Sequence, residues 1–456
     1  MIFFFITVII ISLTYTLSFK KNLKRFLISF WILSVFIYSY TGIPQIVFDG
    51  VYQDSAEKFL LFTSFSIISA LLGFRFSEKI NINYLNRIFA RKNIIRPNIN
   101  SLFIIIFLLV ITNYSYFKLM PSFGEMFTYS RYQYIKEFDN PNSLISVMNL
   151  VLSGFLSALG THISFNMHFF KSGFLGLKHQ FINFINLRLS KRYILYLIIL
   201  FFTIILLAYL VARGDRNPIL ILILPFLASR LNIENIKKST LILFFIFAVI
   251  IAQFLDILRA ITFGTLFNII LGNQIEKNIV FPINDLLLGS GEFITPLKTF
   301  DIYLNNKFDF DSIVFKFPGF SYILGIPLNF LRTLGLADNG LTLAGRFSNI
   351  FGSRGMGLGF SHQLEAYINF GWLGAFVPYF LIGLFIGLIS RLVSYGNIFW
   401  RSIYYTFIPI MINMQRIDMA VSMKLFFYSS VGIVLYYSIN LRSNMVIEKD
   451  YQDSLK

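Results

Sequence analysis

Tyr193-Ile-Leu-Tyr-Leu-Ile-Ile-Leu-Phe-Phe-Thr-Ile-Ile-Leu-Leu-Ala-Tyr-Leu-Val-Ala212 runs uncharged up to Arg213-Gly-Asp215-Arg216-Asn217-Pro218. About 20 apolar residues coiled as a helix reach roughly 30 Å, the thickness of a bilayer's hydrocarbon core. Such a run predicts a membrane-spanning helix, and the charged turn marks where the chain leaves the apolar layer. The same pattern recurs along the chain. Apolar segments at about 1–18, 26–42, 59–74, 101–118, 144–165, 193–212, 218–231, 240–256, 373–390, 398–414 and 421–440 predict an all-α, polytopic membrane bundle of about 11 spans. The runs are continuous rather than alternating, which excludes a membrane β-barrel.

Composition agrees. Of 456 residues, 56% are hydrophobic and 13% charged, against about 25% charged in soluble domains, and the mean hydropathy is +0.70. The formal net charge of +17 does not point to nucleic acid, because the basic residues gather in alternate loops, as cytoplasmic loops of membrane proteins do. Lys20, Lys21, Lys24 and Arg25 mark the first such loop and Arg75 to Arg96 the second. Lys171 to Arg192 mark the third, and Arg230, Lys237 and Lys238 the fourth. The loops at 43–58 and 119–143 are acidic or balanced. This alternation predicts an outer N-terminus and a cytoplasmic C-terminus, with the first span a retained anchor rather than a cleaved signal. The chain has no cysteine, which removes disulfides, thiolate metal sites and cysteine nucleophiles from consideration.

Residues 257–372 then form one large extracytoplasmic loop, too long for a connector, within a single polytopic domain at 1–456. Its charges balance at eight basic and eight acidic. Apolar pieces such as Phe320-Ser-Tyr-Ile-Leu-Gly-Ile-Pro327 predict amphipathic helices packed on the membrane domain.

Four groups of residues carry chemistry. In Arg213-Gly-Asp215-Arg216, two guanidinium groups three residues apart suit bidentate binding of a pyrophosphate, with Asp215 beside them. Asn217 is placed to cap the next helix and Pro218 to sit in its first turn. As solvated turn residues, the three charges would merely pair with one another. Arg346 and Arg354 lie in a glycine-rich stretch where backbone amides can approach an anion closely; an ordinary exposed loop is the plainer reading. His362 and Glu365, i and i+3, share one face of a helix entering the membrane. Both are candidates to take a proton from a sugar hydroxyl; alternatively Glu365 pairs with a loop arginine. Glu292, in Gly289-Ser-Gly-Glu292-Phe-Ile-Thr-Pro296, offers a carboxylate to sugar hydroxyls or simply precedes a helix starting near Pro296. Tyr132, Tyr134 and Tyr322 read mainly as belt or packing residues. No phosphate-binding loop motif and no His-Glu-x-x-His is present, so neither an ATP-driven pump nor that metal site is implied.

The stretch Gly357-Leu-Gly-Phe-Ser361-His-Gln-Leu-Glu365-Ala-Tyr367-Ile-Asn369-Phe-Gly371-Trp-Leu-Gly374, with the arginine turn at 213–216 and the spacing from Arg346 to Gly357, resembles the O-antigen polymerases, the Wzy family. The resemblance implies a glycosyltransferase of the bacterial inner membrane, acting at its periplasmic face; the first outer loop has Asp49 and Asp54 but no adjacent acidic pair, so metal-independent, cofactor-free chemistry is expected. Its substrates would be undecaprenyl-pyrophosphate-linked oligosaccharides, its surroundings membrane lipids, and a chain-length regulator protein a further partner. Arg213, Arg216, His362 and Glu365 would be catalytic, and Asp215, Glu292, Arg346 and Arg354 would bind substrate. Two alternatives stay open. An O-antigen ligase uses the same donor with lipid A-core as acceptor, although its histidine is usually followed by Asn where Gln363 stands here. A lipid-linked oligosaccharide flippase belongs to a different class, and the large outer loop argues against it.

Overall fold

The computed structural model describes residues 1–17, 26–47, 52–82, 97–119, 143–168, 191–212, 216–230, 294–306, 331, 347, 360–394, 398–415 and 417–454. Among the described residues every element is helical: α1 (Ile2–Leu17), α2 (Phe26–Ser39), α3 (Gly42–Val47), α4 (Gln53–Ser77), α5 (Ile99–Leu119), α6 (Ser143–His168) and α7 (Lys191–Ala212). There follow α8 (Arg216–Arg230), α9 (Thr295–Asn305), α10 (His362–Phe370), a 3₁₀ turn (Gly371–Ala375), α11 (Val377–Ser394), α12 (Ile398–Asn413) and α13 (Met419–Ser454). The expected span at 240–256 lies outside the described residues; each of the other apolar segments coincides with a helix. Among the described residues three stretches, Phe26–Val47, Gln53–Ser77 and Ile99–Lys118, are long and apolar enough to cross a membrane, or four if the bent pair His362–Ala375 and Val377–Val393 is one span, fewer than the about 11 expected.

Several helices expose apolar side chains. On α5, Leu102, Ile105, Leu109 and Tyr116 are buried, while Phe103, Phe107, Val110, Tyr114 and Phe117 form an exposed stripe, with Phe107 64% accessible. Spacings of three and four residues put each set on its own face. In water such a stripe would drive association; against lipid it is an ordinary surface. These apolar helices make the chain a membrane protein.

The chain forms two compact units that interleave in sequence. One comprises Met1–Asn86, Glu276–Tyr395 and Phe407–Phe427; the other comprises Arg87–Ile275, Gly396–Thr406 and Tyr428–Lys456. In the second, small side chains and amides join the helices. A Cβ on Gly154 of α6 would sit 2.0 Å from the Ser429 carbonyl of α13, and beside it the Ser153 and Ser429 hydroxyls are 2.9 Å apart. Asn113 of α5 donates to the Phe202 carbonyl of α7 at 3.0 Å, and Ser157 of α6 donates to the Ser402 carbonyl of α12 at 3.0 Å. Interhelical polar contacts of this kind hold apolar helices where lipid supplies no hydrophobic drive between them.

The first unit is organised along α4. Three hydroxyls in its middle return to their own helix: Thr63 to Phe59, Ser64 to Leu60 and Ser66 to Phe62, at 2.8 to 2.9 Å. This makes a seemingly polar segment dry. Helix α11 packs beside it in the same direction. Ser69 donates to the Phe376 carbonyl at 2.6 Å. A Cβ on Gly383 would lie 1.8 Å from the Ala70 carbonyl oxygen, and one on Gly73 would lie 2.0 Å from that of Phe380. The two backbones therefore touch, which only glycine permits. At the far end the Arg391 guanidinium donates to the carbonyls of Ser77, the last residue of α4, and of Ile80 in the turn beyond it. At the near end Asp301 of α9 accepts from Ser55 at 2.6 Å, and Phe300 packs on Phe59 and Phe62.

Replacing Gly383 by Leu should drive α4 and α11 apart and cost about 3 kcal/mol, read as a lower thermal midpoint of the detergent-solubilised protein. Leu381→Ala, at a position 55% exposed, should stay within about 0.5 kcal/mol of the parent. Equal behaviour of the two variants would rule out backbone contact as the organising feature.

Candidate functional site

The candidate site lies within the first unit, where α10 crosses the interior. The sequence placed His362 and Glu365 on one face of a helix entering the membrane; the structure gives them a separate nine-residue helix. The axis turns by 86° before α11 continues. Two glycines explain the turn. Gly371 caps α10 with φ +55°, a conformation other residues adopt only with strain. At Gly374 a Cβ would lie 2.1 Å from the Ala366 carbonyl oxygen, so the turn folds back against the helix it ends. At the other end Ser361 is the N-cap, its hydroxyl accepting from the Leu364 amide at 3.1 Å.

The neighbours of α10 fix its depth. Tyr367 and Trp372 stand 5.6 and 6.1 Å from Phe62 by ring centroids, and Phe376 stands 5.5 Å from Phe65. Phe62 is nine residues into α4, roughly 14 Å along its axis at 1.5 Å per residue. Above this level lies α9, with Phe300 4.9 Å from Tyr367. Helix α10 is thus recessed along the unit rather than set at its edge.

His362 and Glu365 are 2% and 1% exposed. The His362 ring stands edge-on to Tyr379 of α11, with centroids 5.2 Å apart and planes at 85°. The Met419 amide, the first of α13, donates to Glu365 Oε2 at 2.6 Å. A buried carboxylate needs such a partner, since an unpaired charge in this setting would be prohibitive. The positive end of a helix supplies one. Asn369 donates to the Glu365 carbonyl at 2.8 Å, one turn further on.

A second segment meets α10. The connector between α12 and α13, Asn413-Met-Gln415-Arg416-Ile-Asp418, buries Asn413, Gln415 and Asp418. Gln363 Nε2 donates to Gln415 Oε1, and the Val421 amide donates to Asp418 Oδ1 at 2.7 Å. The sequence reading did not select these residues. A polar run between two spans looks like any solvated loop, and only the three-dimensional pairing separates them.

The structure brings together two of the residues selected from sequence, His362 and Glu365. Arg216 is the first residue of α8, so this helix starts one residue before the expected cap Asn217, and Pro218 falls in its first turn as anticipated. Arg213, Asp215, Glu292, Arg346 and Arg354 lie outside the described residues. Among the described residues no group of three or more His, Cys, Asp or Glu side chains could hold a metal ion.

Glu365→Gln keeps an oxygen for the Met419 amide, whereas Glu365→Ala orphans it. The alanine variant should lose about 2–3 kcal/mol and the glutamine variant about 1 kcal/mol, measured as thermal midpoints in detergent. Identical losses would mean that the carboxylate's charge, not its acceptor oxygen, holds α13 in place. No family model matches this chain, and neither a curated protein nor a solved structure does.

Proposed function

We propose that the chain is a glycosyltransferase that polymerises lipid-linked oligosaccharide repeat units at the outer face of the bacterial inner membrane. The observation that carries the reading is the buried pair His362 and Glu365, held on a short recessed helix within the stretch that resembles the O-antigen polymerases. Polar groups at such depth are rare unless used, and a recessed site suits a substrate whose lipid anchor lies in the bilayer.

In the proposed reaction an acceptor sugar hydroxyl attacks the anomeric carbon of a glycan carried on undecaprenyl pyrophosphate. A new C–O bond forms as the bond from that carbon to the pyrophosphate oxygen breaks, and the pyrophosphate leaves with the electron pair. The hydroxyl proton passes to a base drawn from His362 and Glu365. Arg213 and Arg216 bind the leaving pyrophosphate, whose growing charge their paired donors stabilise. Asp215, Glu292, Arg346 and Arg354 complete the substrate contacts.

The direction of the helices supports placing the segments that precede α4 and α11 on one common side. In the first unit α4 and α11 run parallel, as spans entering from one side must. The outer segments at 43–58 and 257–372 meet through Ser55 and Asp301. We place the N-terminus in the periplasm, the C-terminus in the cytoplasm, and 257–372 outside. Single cysteines test this directly in a chain that has none. Ser312→Cys should react with an impermeant thiol reagent in outer-membrane-permeabilised cells, and Ser190→Cys should not. The reverse pattern would overturn the orientation.

Loss of the protein should leave a single repeat unit on lipid A-core in gels of lipopolysaccharide. Bare core would point to a ligase, and unaltered long chains would end both enzyme readings. Within the site, Arg213→Lys and Arg216→Lys keep charge but lose the planar fork. Each should slow polymerisation by about 30- to 1000-fold, the equivalent of about 2–4 kcal/mol in the transition state. Normal chain length in Arg213→Ala, Arg216→Ala and Glu365→Gln, at normal protein levels, would remove these residues from the chemistry.

A further inference from the structure

We propose that Asp418 and Gln415 are positioning residues of this site: the connector between α12 and α13 is its second wall and holds α10 in place. A helix of nine residues does not persist by itself, so something must fix α10 on the face that bears His362 and Glu365. The Gly371 turn fixes one end. Two buried contacts hold its first turn from different sides, Gln363 to Gln415 of the connector and Glu365 to the Met419 amide that the connector leads into.

Asp418 governs the second contact without touching it. Its side chain caps α13 by accepting from Val421 at 2.7 Å, and its carbonyl accepts the first intrahelical bond from the Ser422 amide at 3.1 Å. Both bonds fix the turn that aims the Met419 N–H at Glu365. Without the cap the first turn of α13 frays, and the Glu365 carboxylate loses the amide that compensates its burial. Gln415 acts in the same way through Gln363, the neighbour of His362 in sequence. Neither residue needs to meet substrate. Both set where the two site residues stand.

The test uses a reporter cysteine in the full-length protein. Ala366→Cys places a thiol at a fully buried position of α10, and Asn369→Cys serves as a second reporter one turn along. In native membranes, maleimide labelling should be slow in the otherwise unchanged chain. With Asp418→Ala it should accelerate by about fivefold to thirtyfold, the factor expected for a lost helix cap. Asp418→Ser and Asp418→Asn, which also cap, should restore slow labelling. Gln415→Ala should accelerate labelling too, and the double change Gln363→Leu with Gln415→Leu should return it toward the parent rate, since it leaves no orphaned partner. Unchanged labelling in Asp418→Ala and Gln415→Ala would overturn the proposal. So would Ser and Asn variants that label as fast as Ala, because charge rather than capping would then be at work.

A second arm rests on the glycan-polymerising reading. Chain length should fall in Asp418→Ala and recover in Asp418→Ser at equal protein levels. Faster labelling with normal chains in Asp418→Ala would overturn the positioning role. Faster labelling in a protein whose deletion leaves surface glycans untouched would overturn the glycan reading alone.

Discussion

The contact between the backbones of α4 and α11 sets the geometry of the first unit. Side-chain packing leaves helices free to slide by a turn; carbonyl oxygens lodged against glycine Cα atoms do not. Once Gly73 and Gly383 are seated, the depth at which α11 begins is fixed, and with it the depth of the turn at 371–375. Helix α10 inherits its position from that register. Ser69 and Arg391 then close hydrogen bonds at either end of the shared length, which turns a close approach into a unique one.

The site obeys a second constraint, the cost of burying charge. A carboxylate at 1% exposure survives where a helix terminus faces it, and α13 begins at that place. Bond and burial are mutual. Glu365 satisfies an amide that the helix leaves open, and the helix offsets the charge that Glu365 brings inside. Polar contact between segments about 50 residues apart in sequence thereby becomes part of the fold as well as part of the site.

Much of this was legible in the sequence, for physical reasons. Apolar length reports helices in a membrane directly, because every backbone polar group must be satisfied within its own segment. Thus α5 and α7 fall within a residue or two of the runs at 101–118 and 193–212. The pair His362 and Glu365 was visible because charge is scarce in such a chain. What the sequence hid was depth and partnership. Gly371 reads as one glycine among many until its φ is seen, and α10 was expected as a helix entering the membrane rather than one turned across the unit. Asp418 looks like a loop acid; its part in aiming the Met419 amide depends on which helix lies opposite.

The hydroxyls that α4 folds back on its own carbonyls also bear on how the protein is made. Synthesis reaches α11 about 300 residues after α4 has ended, a delay of some 15 to 60 seconds at elongation rates of about 5–20 residues per second. Throughout that interval α4 stands in the bilayer without the helix that will cover Gly73. A segment with open serine and threonine side chains would need water or a chaperoning partner while it waited. Thr63, Ser64 and Ser66 need neither, so the middle of the helix is satisfied before its partner is translated, while Ser69 waits for the Phe376 carbonyl.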